Sequence, residues 1–396
     1  MIDAIRQMNE PAADVPYMLD RLETFVAINT ENPPGQEVHG ADFLATELDT
    51  IGLAIERSEP IPGRANVVGR FSNGVGPVFA LNSHIDTVPA GDGWTFDPYR
   101  LTRKGNDLFG RGSCDAKGPI IAMLEAARML IAMRKEWQGE LVLIFVFDEE
   151  VQSLGAKEYI KSAPRVDYAI VGEPTSNVVY TAHRGSLRVV VRVKGEMAHS
   201  STPELGINPI FRAAGLLRIL EEHHEHKLRF RHHPLVGTPT LTVTKINSGI
   251  AETTIPPYCD LLIDRRMVPG ESRDEVIEEI QVLLRQAEHD LGVRSKIIEF
   301  KPTTGPASET PVDHPIVTSA LKIAGVYNGA AGAKGFTGGC DLVHFRSLGA
   351  NGVILGPGSL QVAHKPDEFV PLQQFVDSAA IYRDIVIDML SPRANA

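Results

Sequence analysis

The stretch "LVLIFVFDEE", residues 141–150, ends an apolar run of seven residues in three consecutive acids. A continuous apolar run of this length is typical of a strand buried on both faces of a parallel sheet. Two similar runs, "VFALNS" (78–83) and "YAIVG" (168–172), precede and follow it. Between the first two, "GPIIAMLEAARMLIAM" carries apolar residues at helical spacing, with Pro119 near its start. This alternation predicts an α/β fold with a mixed, mostly parallel sheet flanked by helices.

The middle of the chain has a different pattern. From about His183, "SLRVVVRVKGE" and "TLTVTKINSG" alternate apolar with polar residues, as half-exposed antiparallel strands do, and two amphipathic helices accompany them. The parallel-sheet pattern returns later with the strand "GVILG" (352–356). We therefore expect a discontinuous domain, residues 1–183 and 305–396, interrupted by an inserted α+β domain, residues 184–304.

The composition is that of a soluble globular protein, with 43% apolar and 22% charged residues. A chain of 396 residues exceeds what one hydrophobic core usually covers, so two domains are expected. The net charge of −11 disfavours nucleic acid and anionic membrane surfaces as partners. Three scattered cysteines without a C-x-x-C pair, and the lack of a long apolar segment, predict a cytoplasmic protein that does not cross a membrane.

Acidic and imidazole side chains follow the buried runs at the points where strands end. Because the carboxyl ends of parallel strands meet at one edge of a sheet, we expect these side chains to lie together. Crowded carboxylates repel each other unless a cation compensates them. Two imidazoles with several carboxylates suit zinc, with cobalt or manganese as alternatives, and five ligands exceed what one catalytic zinc takes. The pattern predicts two divalent metals that share a bridging carboxylate, with the candidate ligands His84, Asp115, one acid of the run Asp148 to Glu150, Glu173 and His364.

Two further acids have predicted roles at this edge. Asp86 lies two residues after His84 and could accept the other ring N–H, which would orient the ligand; the alternative is a turn-forming Asp in "DTVPAGDG". Glu149 and Glu150 are adjacent, so their side chains leave in different directions and one stays free. A free carboxylate beside metal-activated water is the usual general base of hydrolysis, which predicts this role for Glu149; the alternative is a nearby charge without catalytic duty.

An ordered set of motifs resembles the M20 metallopeptidase family, in particular its deacylases of the acetylornithine deacetylase and succinyl-diaminopimelate desuccinylase type. The motifs are "SHIDTVP", "GRGSCDAKG", "FDEE", "VGEPT", "MAHSSTPELGINPI", "DRRMVPG" and "GPGSLQVAHKPDEF". The resemblance implies a catalytic domain interrupted by a lid domain through which the protein forms a homodimer. It further implies that His84 and Glu173 bind one zinc, that Glu150 and His364 bind the other, and that Asp115 bridges them. A cis peptide bond after Asp115 is also implied.

The resemblance assigns roles to residues of the inserted domain as well. His199 matches a lid histidine that stabilises the tetrahedral oxyanion, although its own sequence context favours an ordinary strand-end histidine. Arg266 and Asn247 resemble residues that hold the substrate carboxylate or the scissile carbonyl, with Arg265 as the adjacent rival to Arg266. Near the end of the chain, the loop "GFTGGCD" resembles one whose backbone N–H groups bind the same carboxylate, here at Gly338 and Gly339.

Glu at position 173 matches the deacylases of the family, whereas Asp is typical of its peptidases. We therefore expect a metal-dependent amidohydrolase that removes an N-acyl group from a small amino acid or similar amide. The alternatives are a dipeptidase or carboxypeptidase of the same family, an esterase or carbamoyl hydrolase with the same residues, and a binding protein that has lost its chemistry. Each ligand and the base are present in the sequence, which disfavours the last alternative.

Two other features are interpreted as unrelated to catalysis. The histidine-rich tract "EEHHEHKLRFRHH", residues 221–233, lies among basic residues at a helix end, where cations favour the helix dipole, and is predicted to be solvated surface. Cys114 precedes Asp115, but nothing in the sequence pairs it with a histidine and an orienting acid. It is predicted to pack near the metals rather than to act as a nucleophile.

Overall fold

The computed structural model describes residues 11–392 and divides the chain into two compact units. The first runs to Thr181 and resumes at Thr310–Gly335 and from Cys340; the second comprises Ala182–Glu309 and Phe336–Gly339. The short segment Phe336–Gly339 had been expected in the catalytic domain. It groups with the second unit because the Phe336 carbonyl accepts a hydrogen bond from the Arg184 N–H at 3.2 Å. The use of this unit as a lid and dimerisation domain stays a prediction.

The regular elements are numbered here in chain order. The helices are α1 (Val15–Ala27), α2 (Val38–Thr50), α3 (Lys117–Ala132), α4 (Leu154–Tyr159), α5 (Pro209–His226), α6 (Arg273–Leu291), α7 (Pro315–Asn328), α8 (Leu342–Ser347) and α9 (Leu372–Leu390). The strands are β1 (Ala54–Ile61), β2 (Arg64–Asn73), β3 (Val78–His84), β4 (Thr102–Lys104), β5 (Asp107–Phe109), β6 (Gly139–Val146), β7 (Tyr168–Val171), β8 (Tyr180–His183), β9 (Gly185–Lys194), β10 (Ala198–His199), β11 (Thr240–Ser248), β12 (Thr254–Ile255), β13 (Tyr258–Met267), β14 (Ser295–Lys301), β15 (Ser308–Glu309), β16 (Lys334–Phe336), β17 (Asn351–Ile354) and β18 (Phe369–Pro371). Short 3-10 helices occur at Pro203–Leu205 and Leu228–Phe230.

The sheet of the first unit has the strand order β1-β2-β6-β3-β7-β17-β8. Its centre is parallel, since β3 pairs in parallel with both β6 and β7, and β17 pairs in parallel with β7. Towards the edges, β1, β2 and β8 pair antiparallel. The predicted mixed, mostly parallel sheet flanked by helices is confirmed.

Burial explains why the opening stretch forms the centre of this sheet. Every residue of "LVLIFV" in β6 is buried, and Leu143 pairs with Leu81 on β3. Helix α3, in which almost every side chain is buried, packs on β3, β6, α1 and α9. Because the central strands run parallel, β3 and β6 deliver His84 and the acids after Val146 to the same edge. The Glu173 loop follows β7 at that edge as well.

The second unit is a four-stranded antiparallel sheet with the strand order β11-β13-β9-β14 and the helices α5 and α6. Alternate residues of β9, such as Val189 and Val191, join Leu261 and Ile263 of β13 in a core separate from that of the first unit. The predicted inserted α+β architecture is present. A two-stranded ribbon of β10 and β12 extends from it and carries His199 at its end. None of the described helices in either unit has the length and apolar character needed to cross a membrane.

Candidate metal centre

Five acidic or imidazole residues converge in the first unit, in two groups that share His84. One group is His84, Glu149 and Glu173; the other is His84, Asp115 and Glu150. Within each group, one potential ligand atom of every residue lies within 4.8 Å of the others. All of these side chains come from strand ends or from the loop before α3, as the sequence predicted. The edge of the sheet thus concentrates metal-binding chemistry.

His84 lies at the end of β3 and is 1% exposed. Its Nδ1 lies 2.9 Å from the backbone carbonyl oxygen of Asp86, to which an Nδ1–H can donate. The Nε2 lone pair then faces Asp115 Oδ1 at 3.1 Å. Two electron pairs at this distance repel unless a proton or a metal ion lies between them. Burial opposes a charged ring, but the bonds with Asp115 and Asp86 outweigh it and hold the pKa of His84 well above its ordinary value.

Asp115 lies between the two imidazoles. Its Oδ2 is 3.3 Å from Nε2 of His364, and the same Nε2 is 3.0 Å from Glu150 Oε2. Burial alone would raise the pKa of Asp115, but the hydrogen bonds with His364 and His84 dominate and hold it below its ordinary value. A carboxylate with one oxygen towards each histidine has the geometry of a bridging ligand. The peptide bond from Asp115 to Ala116 is cis, as the resemblance implied.

The surrounding carboxylates are held in an environment that disfavours their negative charge. Burial raises the pKa of Glu149 well above its ordinary value, and the charge of Glu173 raises it further. Glu173 is affected in the same way by burial and by the charge of Asp115, and its buried Oε1 has no hydrogen-bond partner among the described residues. Carboxylates and imidazoles at this spacing fit a divalent transition metal, whose charge would relieve both the repulsion and the unpaired oxygen.

Asp86 contacts His84 in a different way from the one expected. Its carboxylate Oδ1 lies 3.6 Å from the His84 Nδ1, whereas its backbone carbonyl oxygen lies at 2.9 Å. The carboxylate instead accepts hydrogen bonds from the backbone N–H groups of Glu149 and Glu150, at 3.1 and 3.2 Å. Asn32 Nδ2 donates to the same carboxylate at 2.9 Å. Asp86 therefore positions the backbone of the two acids as well as the ring of His84.

Several residues that support this centre were missed from the sequence. Asn32 Nδ2 also donates to Asp148, which in turn pairs with Arg64 at 2.9 Å, and Arg64 pairs with the fully buried Glu37. No periodicity or local motif connects these residues, because each contact joins segments far apart in sequence. Asp148 belongs to the acidic run that the sequence singled out, and it was the one member left without a role.

Two more buried acids lie beside the predicted ligands and were also missed. Asp341 follows the Gly-rich loop; burial raises its pKa to about 6, and its charge raises the pKa values of Glu149 and Glu173. Glu368 is fully buried four residues after His364 and accepts hydrogen bonds from the backbone of Asp115. The proximity of Glu368 to His364 in sequence was the one signal that could have identified it.

The remaining predicted site residues belong to the second unit. His199 is exposed and its Nδ1 accepts a hydrogen bond from Ser201, whose oxygen lies at 2.7 Å. Asn247 lies exposed on β11, and Gly338 and Gly339 lie between β16 and α8.

The structure distinguishes the two adjacent arginines of β13. The Arg265 side chain is completely buried and pairs with Glu271 at 2.6 Å and with Glu279 at 3.0 Å. Arg266 points to the opposite face, where its side chain is 34% exposed and pairs with Asp264 at 2.9 Å. Arg266 therefore remains available to a ligand, while Arg265 is part of the packing of the second unit.

The two features interpreted as non-catalytic have ordinary surroundings. In the histidine-rich tract, His226 and His232 are exposed as predicted, but His223 and His233 are half-buried and face Glu279 at 3.5 Å and Glu309 at 3.2 Å. This tract forms no metal-binding cluster with other described residues. Cys114 is fully buried, and burial raises the pKa of its thiol well above the ordinary value, so it lacks the thiolate character of a nucleophile.

The fold and this centre define a metal-dependent hydrolase of amide bonds. The chain belongs to Peptidase family M20/M25/M40, whose family model matches residues 80–388. It is 32% identical over 375 residues to an acetylornithine deacetylase of Vibrio vulnificus, covering 92% of this chain and 96% of that one.

Solved structures show the same fold at lower identity. The M20 family metallo-carboxypeptidase Sso-CP2 of Sulfolobus solfataricus superposes with a TM-score of 0.78 at 18% identity, covering 94% of this chain and 99% of that one. The YXEP protein of Bacillus subtilis, a dinuclear metal-binding peptidase of the M20 family, has a TM-score of 0.73 at 16% identity, covering 95% and 98%. Membership of a dinuclear metal family agrees with the ligand clusters at the sheet edge.

Proposed function

We propose that the protein is a dinuclear zinc amidohydrolase that removes an N-acyl group from a small amino acid or a similar amide. The observation that carries the proposal is the position of Asp115, with His84 at 3.1 Å from one carboxylate oxygen and His364 at 3.3 Å from the other. The resemblance to acetylornithine deacetylases over most of the chain favours deacylation. The glutamate at position 173, where peptidases of the family carry aspartate, supports the same choice.

We assign the ligands as the family motifs do. His84 and Glu173 would hold one ion, Glu150 and His364 the other, and Asp115 would bridge them. Zinc suits this mixture of nitrogen and oxygen donors, and cobalt or manganese are the alternatives. Divalent metals at these positions would supply the Lewis acidity and the activated water that amide hydrolysis requires.

Glu149 is the proposed general base. It belongs to the same cluster as His84 and Glu173, and its backbone N–H donates a hydrogen bond to Asp86 Oδ1, with the nitrogen and oxygen 3.1 Å apart. Its raised pKa favours taking up a proton from the attacking water, and the same carboxyl can then deliver that proton to the leaving amine. Asp86 contributes by fixing the positions of both His84 and Glu149.

The second unit is proposed to complete the site. Because Nδ1 of His199 accepts from Ser201 N–H at 3.1 Å, its Nε2 carries the hydrogen and can donate to an oxyanion. Arg266 and Asn247, with the backbone N–H groups of Gly338 and Gly339, are proposed to hold the substrate carboxylate.

The second unit is also the proposed site of homodimer formation. Exposed apolar side chains around β10 and the start of α5 support this proposal, because apolar surface of this kind commonly marks a protein contact. They are Met197 (55% exposed), Leu205 (72%), Ile207 (38%), Ile210 (42%) and Phe211 (78%). A cytoplasmic location is supported by three buried cysteines that remain free.

A substrate panel tests the proposed reaction. The purified protein, loaded with zinc or cobalt, is offered N-acetyl, N-succinyl and N-formyl amino acids beside dipeptides, and release of the free amine is measured. We expect the highest kcat/KM with an N-acyl amino acid. Preferential cleavage of dipeptides would move the protein to the peptidase branch of the family. Absence of turnover across the panel, with two metals bound, would contradict the proposal.

A further inference from the structure

Glu368 lies in the motif "GPGSLQVAHKPDEF", but its contacts have no part in the proposed mechanism. The residue is completely buried and directly precedes β18. Its Oε1 accepts hydrogen bonds from two consecutive backbone N–H groups, those of Cys114 and Asp115, both at 2.9 Å. Its own backbone carbonyl accepts from the N–H of Gly110 at 3.0 Å. One residue near the end of the chain therefore holds the loop that presents the proposed bridging ligand.

The second oxygen of Glu368 is engaged as fully as the first. Oε2 pairs with Arg111 Nη1 at 2.5 Å, and Arg111 is only 2% exposed. The other terminal nitrogen of Arg111 donates to the carbonyl oxygens of Pro89 at 3.3 Å and Ala90 at 3.2 Å, and its guanidinium lies 5.1 Å from the Trp94 ring centre. The pair thus joins the loop after β3 to the loop before α3 and to the loop before β18.

The loop before β18 has a backbone that requires such an anchor. His364 and Asp367 have φ values of 61° and 56°, in the left-handed region that side chains other than glycine rarely adopt. Such conformations persist only where surrounding contacts determine them. Glu368 directly follows this segment, and its bonds to residues 110–115 are among those contacts, together with the hydrogen bond that Asp367 accepts from the Thr95 N–H at 2.8 Å.

We infer that Glu368, supported by Arg111, is a positioning residue that sets the separation of Asp115 and His364, so that both can bind the metals. This inference rests on the proposed function, because it takes Asp115 and His364 as ligands. The bonds from the backbone N–H groups of Cys114 and Asp115 to Glu368 fix the backbone of Asp115. Because Glu368 lies four residues after His364 in the same loop, these bonds also fix the position of His364. A purely structural buried ion pair would contribute to folding but would leave metal affinity unchanged.

Two double variants distinguish the positioning role from a purely structural ion pair. Arg111→Met with Glu368→Gln removes the ion pair but keeps an oxygen that accepts from both N–H groups. Arg111→Met with Glu368→Met removes the ion pair and the acceptor together, with side chains of similar size. Replacing both charges at once avoids leaving one of them buried without a partner. The two proteins therefore differ at position 368 alone, in the side-chain amide whose oxygen is the acceptor.

The readout is the affinity for cobalt(II), measured by competition with a chelator, together with the visible spectrum of the cobalt form. Loss of a group that orients metal ligands typically weakens metal binding by about 10- to 100-fold. We expect this loss, with an altered spectrum, in Arg111→Met with Glu368→Met, which we call the methionine pair. In Arg111→Met with Glu368→Gln, the glutamine pair, we expect an affinity within about threefold of wild type. Arg21→Met with Glu47→Met is the control, because that pair, 2.9 Å apart, joins α1 to α2 without contacting a proposed ligand.

The outcomes distinguish this inference from the proposed function. A wild-type protein that binds no cobalt contradicts the proposed function itself. A wild-type protein that binds cobalt tightly, with both double variants equal to it, overturns the positioning role alone. If the methionine pair does not fold, Glu368→Asp decides, because it keeps the charge beside Arg111 but withdraws the acceptor from both N–H groups by one methylene. Tenfold weaker cobalt binding with an altered spectrum then supports the role, and wild-type affinity and spectrum overturn it.

Discussion

His364 Nε2 lies 3.3 Å from the Oδ2 atom of Asp115, although the two residues come from distant parts of the chain. This approach places an imidazole from the loop before β18 beside a carboxylate from the loop before α3. The same ring contacts Glu150, from the loop after β6, at 3.0 Å. Three loops at one sheet edge thus supply three of the five proposed metal ligands, and the function of the centre depends on the relative positions of these loops.

Glu149→Gln is expected to abolish most turnover while leaving metal binding intact. The amide cannot take up a proton from water, and loss of a general base typically lowers kcat by about 10²- to 10⁴-fold. Steady-state kcat and metal content per chain check this prediction. Glu158→Gln, on α4, is a control that changes a pair with Lys161 at the surface. Wild-type turnover in Glu149→Gln would remove the base assignment.

Removing the metals is expected to abolish activity and to make the free energy of unfolding decrease as the pH becomes alkaline. The bonds with Asp115 and Glu150 raise the pKa of His364 from 6.5 to about 10 in the metal-free protein. A raised pKa stabilises the fold below pH 6.5, and that contribution is lost as pH rises towards 10. Thermal unfolding of the metal-free protein should show this loss.

Two comparisons test the alkaline effect. The metal-loaded protein should not show it, since a bound metal keeps the ring deprotonated throughout. His364→Gln should reduce it in the metal-free protein, because the titrating group is gone. An identical pH profile for metal-free wild type and for this variant would contradict the explanation.

Arg265→Met is expected to destabilise the protein, and Arg266→Met is expected to impair substrate binding. Removing Arg265 leaves Glu271 and Glu279 with the half-exposed Arg231 as their shared partner, so we expect a loss of about 3 kcal/mol, the lower end of the cost of breaking a buried ion pair. Arg266 is partly exposed, so its replacement should change the free energy of unfolding by no more than about 0.5 kcal/mol. Urea unfolding and the KM of each variant separate the effects. A raised KM in a fully stable Arg265→Met protein would reverse the assignment.

His183 is expected to make the fold sensitive to acid. The imidazole is completely buried, and burial lowers its pKa from 6.5 to about 4. A lowered pKa means that the stability present above pH 6.5 is lost as pH falls towards 4, by up to about 3 kcal/mol. His183→Gln should flatten the stability profile over this range, and the exposed His226→Gln should not. Equal acid sensitivity in all three proteins would exclude His183 as the cause.

Much of the fold could be predicted from the sequence because its signals are local. The apolar run of β6 shows burial on both faces, and the alternation in β9 shows a half-exposed strand. The apolar runs of the parallel strands β3, β6 and β7 are each followed closely by the histidine or acid that they deliver to the sheet edge. Parallel strands bring their carboxyl ends together, so the convergence of His84, Glu149 and Glu173 followed from strand direction alone.

Only the tertiary structure decided how these groups are held. The sequence could not show that the Asp86 carbonyl, rather than its carboxylate, lies nearest to His84, or that Glu368 holds the backbone of Asp115. It also left Arg265 as a rival to Arg266 until burial separated them. The physical reason is common to all three cases. Hydrophobic periodicity records which face of a strand is buried, whereas a single polar contact between distant segments leaves no repeating pattern along the chain.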